Sequence, residues 1–279
     1  MQQAYLLFQK QLAGYYPETE IRSFWLLLME QLCGLSRTEI RTNKNNILSE
    51  EQGEKLKTII LRLQRAEPIQ YILEECTFFD LPFFVSPSAL IPRQETEELV
   101  DWILKENADC KGTVLDIGCG SGSIIVTLAK HCPLAKCYGL DISEDAIALA
   151  QKNAQRNQVA VSFIKGDILS KNCSPIPAQL IISNPPYVCE HEKASMHRNV
   201  LDYEPAVALF VPDNDPLIFY KAIADYAIEN LLSGGKLFFE INRSYGKELT
   251  VMLEQKGFYA ITVKKDISGN DRMIQAHKK

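Results

Sequence analysis

The chain lacks the long apolar run that a membrane-spanning helix requires, because no segment approaches about eighteen consecutive apolar residues. The amino-terminal segment also lacks a cationic start followed by an apolar stretch, so we expect no secretory signal. Apolar residues make up 46% of the 279 residues and charged residues 23%, the balance of an ordinary globular protein. We therefore expect a cytoplasmic protein with no membrane partner, formed by one large domain or two modest ones.

Metal-binding spacings of cysteine and histidine are also missing. The eight cysteines include no C-x-x-C pair, and the four histidines form no H-x-x-x-H or H-E-x-x-H pattern. Because zinc sites and disulfide frameworks need regular spacings, we expect reduced thiols and no metal site. Cys189 and His191 are close in sequence, but two potential ligands are too few for a site.

An excess of basic charge is missing as well, since the formal net charge is −5. A protein that binds duplex phosphates normally has a basic face and a high isoelectric point. The acidic balance lowers the expectation of a nucleic-acid partner, although a local basic patch is compatible with it.

The first part of the chain predicts helices. Apolar residues recur at helical spacing between Pro17 and Gly34, residues suited to the start and the end of a helix. Ser49 to Gln52 has the form of a capping box before a second helical stretch. We predict a small helical bundle over residues 1–75, followed by an aromatic-rich β-hairpin linker over residues 76–90.

From residue 91 onwards, apolar strand-like runs alternate with helical stretches. This order predicts βαβ units and a mostly parallel, doubly wound sheet of seven strands. The last two runs lie too close together for an intervening helix, so they predict an antiparallel hairpin. Residues 91–279 therefore form the predicted α/β domain.

A glycine-rich segment joins the first strand of this domain to its first helix. "VLDIGCGSGSI" contains Asp116, Gly118, Gly120 and Gly122, and glycines there let the backbone approach a ligand closely. Asp141 follows the second strand, where an acid can accept hydrogen bonds from ribose hydroxyls. The spacing is G-x-G-x-G rather than the G-x-G-x-x-G of NAD sites.

A third acid, Asp167, follows the third strand and is suited to an adenine amino group. A pocket rich in acids favours a sulfonium ligand without phosphates. The expected cofactor is therefore S-adenosylmethionine, and an ordinary tight turn is the alternative.

The fourth strand runs into "IISNPPYV", residues 181–188. Proline has no backbone N–H, so this corner offers two acceptors, the Asn184 side-chain oxygen and the Pro185 carbonyl. Two adjacent acceptors suit the two N–H bonds of an –NH2 group, and Tyr187 can stack on the planar group that carries it. A proline-rich turn is the alternative, but the position beside the glycine segment favours a clamp.

The chain resembles the PrmC/HemK family of release factor glutamine methyltransferases over nearly its whole length. The resemblance rests on "LIPRQETEELV", "LDIGCGSG", "LDIS", "GDIL", "SNPPYV", "YEPAVAL", "GGKLFFEI" and "KDISGNDRM", in the order of the family. It implies a class I S-adenosylmethionine-dependent fold with an N-terminal helical domain. It also implies methylation of the side-chain amide nitrogen (N5) of the glutamine in the Gly-Gly-Gln loop of peptide chain release factors.

The resemblance assigns roles by position. Catalysis falls to Asn184, Pro185 and Tyr187, and the glutamine is held by these three and Pro186. With Asp167 added from its place after the third strand, the expected cofactor-binding residues are Gly118, Cys119, Gly120, Ser121, Gly122, Asp141, Asp167, Ile168 and Asn184.

The chain departs from the family pattern at a few positions. Ile168 stands where a larger aromatic is common, Gln94 replaces a proline, and Asn242 and Tyr245 replace a glycine and a glutamine. We expect these departures to affect the rim of the site more than the clamp.

Two further functions remain open at this point. One is methylation of an exocyclic amine of a nucleic-acid base (adenine N6 or guanine N2), which the NPPY element alone would fit. The other is a nucleotide-binding adaptor without chemistry. Nothing in the sequence demands more than a monomer.

Some motif residues also allow two interpretations. Arg93, Glu95 and Glu97 either line an entrance or begin a helix, whose dipole favours acids. Glu204 is expected to order the loop after the clamp.

Overall fold

The computed structural model describes residues 2–42, 48–107, 110–170 and 173–279. The chain forms two compact units, residues 1–74 with 197–203 and residues 75–196 with 204–279. The predicted boundaries after residues 75 and 90 stay predictions. No described helix is both long enough and apolar enough to cross a membrane.

The first unit is helical. Gly34 ends its second helix in the left-handed region, and Ser49 forms the predicted capping box with Gln52. Phe8, Leu28 and Leu63 are fully buried in its core. Its helices are α1 Gln2–Leu12, α2 Glu18–Cys33, α3 Arg37–Thr42, α4 Glu50–Gln64 and α5 Ile69–Leu73.

The second unit alternates strands with helices. Its strands are β1 Glu75–Phe78, β2 Leu81–Phe84, β3 Thr113–Ile117, β4 Lys136–Asp141, β5 Val161–Lys165, β6 Ala178–Ser183, β7 Val188–Cys189, β8 Phe210–Val211, β9 Leu231–Glu240, β10 Tyr259–Lys265 and β11 Asp271–His277. Its helices are α6 Gln94–Glu106, α7 Ser123–His131, α8 Glu144–Arg156, α10 Ile218–Asn230 and α11 Gly246–Gln255, and the short α9 Arg198–Leu201 belongs to the first unit.

Seven strands form one sheet in the order β10-β11-β9-β6-β3-β4-β5. The strands β9, β6, β3, β4 and β5 are parallel, whereas β11 pairs antiparallel with both β9 and β10. This arrangement confirms the predicted class I methyltransferase fold, including its antiparallel hairpin at the carboxyl end of the chain. The strands β1 and β2 form the predicted hairpin outside this sheet.

Alternate residues of the central strands face opposite layers of helices. Leu115 of β3 packs in a core with Tyr220 of α10, whereas the preceding Val114 packs in a second core with Leu99 of α6 and Val126 of α7. Because helices cover both faces, the ligands of such a sheet bind at the carboxyl ends of its strands.

A close approach under the glycine segment requires Gly139 of β4. A Cβ at this position would lie 2.7 Å from Cδ1 of Phe163 on β5 and 3.0 Å from Sγ of Cys119. The missing side chain therefore leaves space for the ring of Phe163 and for the turn that carries Cys119.

We expect Gly139→Ala to destabilise the chain by about 1–3 kcal/mol, because the added methyl group overpacks this contact. Thermal unfolding monitored by circular dichroism measures the effect as a lower melting temperature. The matched control is Gly53→Ala in α4, where no atom beyond the neighbouring residues and the adjacent helix backbone lies within 4 Å of the added Cβ. That change should raise stability by about 0.5–1 kcal/mol, and equal melting temperatures for the two variants would contradict the packing argument.

Candidate active site

A cavity of about 260 Å³ opens at the carboxyl ends of β3, β4, β5 and β6. It brings together residues that are far apart in sequence, as expected for the shared edge of parallel strands. The predicted site residues that line it are Gly118, Gly120, Asp141, Asp167, Ile168, Asn184, Pro185 and Pro186.

Four predicted residues lie around this cavity rather than in its lining. Cys119 is buried beneath the turn and Ser121 is buried beside it. Gly122 precedes the first residue of α7, with φ of 79°. Tyr187 packs against the core shared with α10.

The glycine segment wraps around the end of β4. Gly118 and Gly120 have φ of 72° and 53°, in the left-handed region that glycine occupies without strain. The amide of Gly118 donates to the Leu140 carbonyl at 2.8 Å, and the amide of Gly120 donates to Oδ2 of Asp141 at 2.8 Å. The turn is therefore held against the strand end that carries the acid.

Asp141 combines a structural bond and a free acceptor site on each oxygen. Oδ2 accepts from Gly120, and Oδ1 accepts from the amide of Ser143 at 2.9 Å. A carboxylate oxygen has two lone pairs, so one lone pair on each oxygen remains for a ligand. Two adjacent acceptors, beside backbone that approaches closely, fit the two hydroxyls of a ribose.

Asp116 lies one residue before the end of β3 and is fully buried. Among the described residues, neither of its oxygens has a hydrogen-bond partner. Burial, and after it the charge of Asp141, raises the pKa of the Asp116 carboxyl to about 8. Sequence reasoning placed Asp116 in the turn but had no signal for this shift, which depends on burial.

The clamp residue Asn184 rests on a network that sequence reasoning missed. Its Nδ2 donates to Oγ1 of Thr96 in the first turn of α6, at 3.2 Å. The Thr96 hydroxyl donates to Oε2 of Glu240 at the end of β9, at 2.6 Å, and the Tyr187 hydroxyl donates to Oε1 at 2.9 Å. Thr96 lies in the motif "LIPRQETEELV" and Glu240 in the motif "GGKLFFEI". The sequence does not reveal their hydrogen bond, because the two residues are 144 positions apart.

The expectation that departures from the family pattern affect the rim more than the clamp is wrong for Asn242. This residue is buried, and its Nδ2 donates to the carbonyl of Tyr187 at 3.1 Å and to Oε2 of Glu192 at 3.0 Å. The same Glu192 oxygen accepts from the amide of Cys189 at 2.8 Å. Asn242 therefore fixes the position of the backbone that follows the clamp.

The "IPRQETE" motif begins a helix and anchors two loops. Glu97 accepts at Oε1 from the amide of Phe79 in the β1–β2 turn, at 2.9 Å. Arg93 pairs with the buried Glu204, whose Oε2 accepts from the amide of Ile91 at 3.1 Å. Glu204 thus holds the segment that precedes α6 through both Ile91 and Arg93.

Asn153 of α8 joins the hairpin to the glycine segment. Its Oδ1 accepts from the amide of Phe84 at 2.7 Å, and its Nδ2 donates to the carbonyls of Phe84 at 3.0 Å and Ser121 at 2.9 Å. No pattern in the sequence pointed to this buried amide.

Asp213 adds a third polar group to the pair Cys189 and His191, and their side-chain atoms lie within 4.8 Å of one another. Nδ1 of His191 and Oδ1 of Asp213 are 2.8 Å apart, and the Cys189 thiol is 3.4 Å from the hydroxyl of Tyr245. These contacts account for the cluster as hydrogen bonds.

Comparison with known proteins identifies the family of the chain. Residues 3–73 match the PrmC N-terminal domain, and residues 95–203 match the methyltransferase small domain. A release factor glutamine methyltransferase of Flavobacterium psychrophilum is 46% identical over 97% of this chain and 96% of its own length. The chain belongs to the release factor glutamine methyltransferase family.

A second member of this family, from Bacteroides thetaiotaomicron, is 44% identical over 97% of both chains. Among solved structures, a 16S rRNA N2 methyltransferase of T. thermophilus in complex with AdoMet and guanosine matches with a TM-score of 0.52. At 18% identity over 74% of this chain and 50% of that chain, this likeness shows the fold alone.

We expect the free energy of unfolding of the Asp116→Asn variant to fall less with rising pH than that of the wild type. Between the usual pKa of 3.8 and about 8, the folded chain binds this proton more tightly than the unfolded chain. The wild type should therefore lose about 1.4 kcal/mol per pH unit, relative to the variant, as the pH rises through this window. Urea unfolding of both proteins, repeated at intervals of about one pH unit between about pH 5 and pH 8, measures the difference.

Asp145→Asn, at an exposed position of α8, controls for the loss of one negative charge. Parallel stability curves for the wild type and Asp116→Asn would contradict the raised pKa.

Proposed function

We propose that this chain transfers a methyl group from S-adenosylmethionine to the side-chain amide nitrogen of the glutamine in the Gly-Gly-Gln motif of peptide chain release factors. The observation that carries the proposal is the position of Asn184 and Pro185 in the wall of the cavity that contains Asp141. Membership of the release factor glutamine methyltransferase family supports the choice of acceptor.

The cavity residues suit the cofactor. Gly118 and Gly120 would allow its close approach, Asp141 would accept from its ribose, and Asp167 and Ile168 would contact its adenine. S-adenosylmethionine supplies a methyl group bound to a positively charged sulfur. Cys119, Ser121 and Gly122 would act on this ligand indirectly, by shaping the turn around it.

Asn184 and Pro185 address the weak nucleophilicity of an amide nitrogen, whose lone pair is delocalised. Acceptors on both N–H bonds orient the nitrogen and favour the positive charge that builds on it. A new N–C bond would replace the S–C bond, S-adenosylhomocysteine would leave with the electron pair of that bond, and the nitrogen would lose one proton to water. Pro186 and Tyr187 complete the clamp, with the backbone after Tyr187 held by Asn242.

The remaining parts of the proposal concern organisation. Residues 1–75 act as a helical domain, residues 76–90 as a hairpin linker and residues 91–279 as the methyltransferase domain. The chain works as a cytoplasmic monomer, with no nucleic-acid or membrane partner.

A second candidate acceptor is an exocyclic amine of a nucleic-acid base, which is also planar and carries an –NH2 group. The Asn184–Tyr187 corner alone would accept it. The net charge of −5 disfavours a polyanionic substrate.

Mass spectrometry of a release factor incubated with enzyme and S-adenosylmethionine tests the proposal. We expect one added methyl group on the Gly-Gly-Gln peptide, and none when the acceptor glutamine is changed to alanine. Parallel reactions with RNA and DNA use a labelled methyl group. Transfer to nucleic acid but not to the release factor would favour the second candidate and contradict the first.

We expect Asn184→Ala to lower kcat for the release factor about 10²- to 10³-fold, because it removes one acceptor from the developing charge. The affinity for S-adenosylmethionine, measured by calorimetry, should change much less. Asn107→Ala, which removes an amide at the end of α6, is the control and should retain kcat. Equal losses of affinity and turnover would mean that Asn184 mainly holds the cofactor.

A further inference from the structure

Four polar side chains, two of them in the clamp, form a continuous network of hydrogen bonds. Asn184 donates to Thr96 at 3.2 Å, Thr96 donates to Glu240 at 2.6 Å, and Tyr187 donates to the other oxygen of Glu240 at 2.9 Å. We call these four residues the clamp relay. Thr96 is 3% exposed and Glu240 is 1% exposed, so the bond between these two side chains is shielded from water.

Glu240 sets the direction of the relay because an ionised carboxylate accepts hydrogen bonds and cannot donate them. Burial raises the pKa of Glu240, but the hydrogen bonds from Thr96 and Tyr187 and the charge of Arg272 oppose this rise. The distances of 2.6 Å and 2.9 Å to two different oxygens fit an ionised carboxylate that accepts from both hydroxyl groups, which then point their protons at Glu240.

The direction of the Thr96 proton determines the orientation of the Asn184 amide. A threonine hydroxyl has one proton, and here Glu240 takes it, so Oγ1 faces Asn184 as an acceptor. The Nδ2 of Asn184 satisfies that acceptor. A flipped amide would place Oδ1 against Oγ1 with no proton between the two oxygens.

Within the described part of the chain, no hydrogen bond reaches Oδ1 of Asn184, and this residue lines the cavity. The relay thus leaves an acceptor, rather than a donor, available on the cavity side. An acceptor is what the –NH2 group of a carboxamide requires.

We propose that Thr96 and Glu240 are positioning residues that hold the Asn184 amide with its oxygen turned towards the acceptor nitrogen. This inference rests on the proposed function, because it assumes an –NH2 group in the clamp. It adds a basis for specificity: the fixed oxygen disfavours a glutamate side chain, which has no N–H to donate and whose negative charge is repelled by the partial negative charge of that oxygen.

Substitutions at Thr96 test the inference. Thr96→Val keeps the shape but removes the hydroxyl, so Asn184 loses its fixed orientation. We expect kcat for the release factor to fall about tenfold or more, with KM and the affinity for S-adenosylmethionine within about threefold. Thr96→Ser keeps the hydroxyl and should restore kcat to within about threefold of the wild type.

The matched control is Thr127→Val in α7, which removes another fully buried threonine hydroxyl, bonded to the Ser123 carbonyl at 2.7 Å. It should retain kcat per folded molecule, with the folded fraction measured by calorimetric titration with S-adenosylmethionine. Equal kcat losses in Thr96→Ser and Thr96→Val, or no loss in Thr96→Val, would overturn the inference.

Glu240→Gln tests the origin of the direction. Glutamine has the same shape but can donate an N–H to Oγ1 of Thr96, which frees the threonine proton for Oδ1 of Asn184. We expect a fall in kcat similar to that of Thr96→Val. Wild-type kcat in this variant would overturn the role of Glu240.

A spectroscopic measurement tests the orientation without any acceptor substrate. In the ¹⁵N-labelled wild type, the Asn184 side-chain NH2 protons should show a nuclear Overhauser effect to the Thr96 methyl group. Asn184→Ala identifies the signal by its loss, and Glu240→Gln should weaken the effect. Its absence in the wild type would overturn the inference, whereas its presence in a wild type that does not methylate the release factor would contradict the proposed function alone.

Discussion

The carboxyl ends of β3, β4, β5 and β6 meet at one edge of the sheet, and every group that we assign to the reaction depends on this alignment. Parallel pairing fixes it, because strands that run in the same direction all end at the same edge. Asp141 and Asn184 are distant in sequence, yet both line the same cavity at that edge. The helices on both faces keep the sheet buried and leave this edge as the place for a ligand.

The precision of the site comes from buried polar bonds that link this edge to other elements. Asp141 holds the glycine turn, and Asn153 holds the same turn from α8. Glu240 holds both Thr96 and Tyr187 from the end of β9. A buried polar group that loses its hydrogen bond costs free energy. Each of these bonds therefore favours one arrangement of the site.

Local patterns predicted most of the fold and much of the cavity. The capping box at Ser49 and the glycine turn before α7 depend on neighbouring residues, which a sequence displays directly. Asp141 and Asn184 were predictable because a strand end has a known position in a parallel sheet. The pairing of Thr96 with Glu240 was not, because it joins a helix start to a strand end across 144 positions. Asn242 was misjudged for the same reason, since its partners lie on other segments.

The most direct test of the clamp is a crystal structure of the enzyme with S-adenosylhomocysteine and a release factor. We predict that the glutamine side-chain nitrogen lies about 2.7–3.2 Å from both Oδ1 of Asn184 and the carbonyl oxygen of Pro185. A glutamine amide bound elsewhere, or one that meets Nδ2 of Asn184 through its own oxygen, would contradict the account.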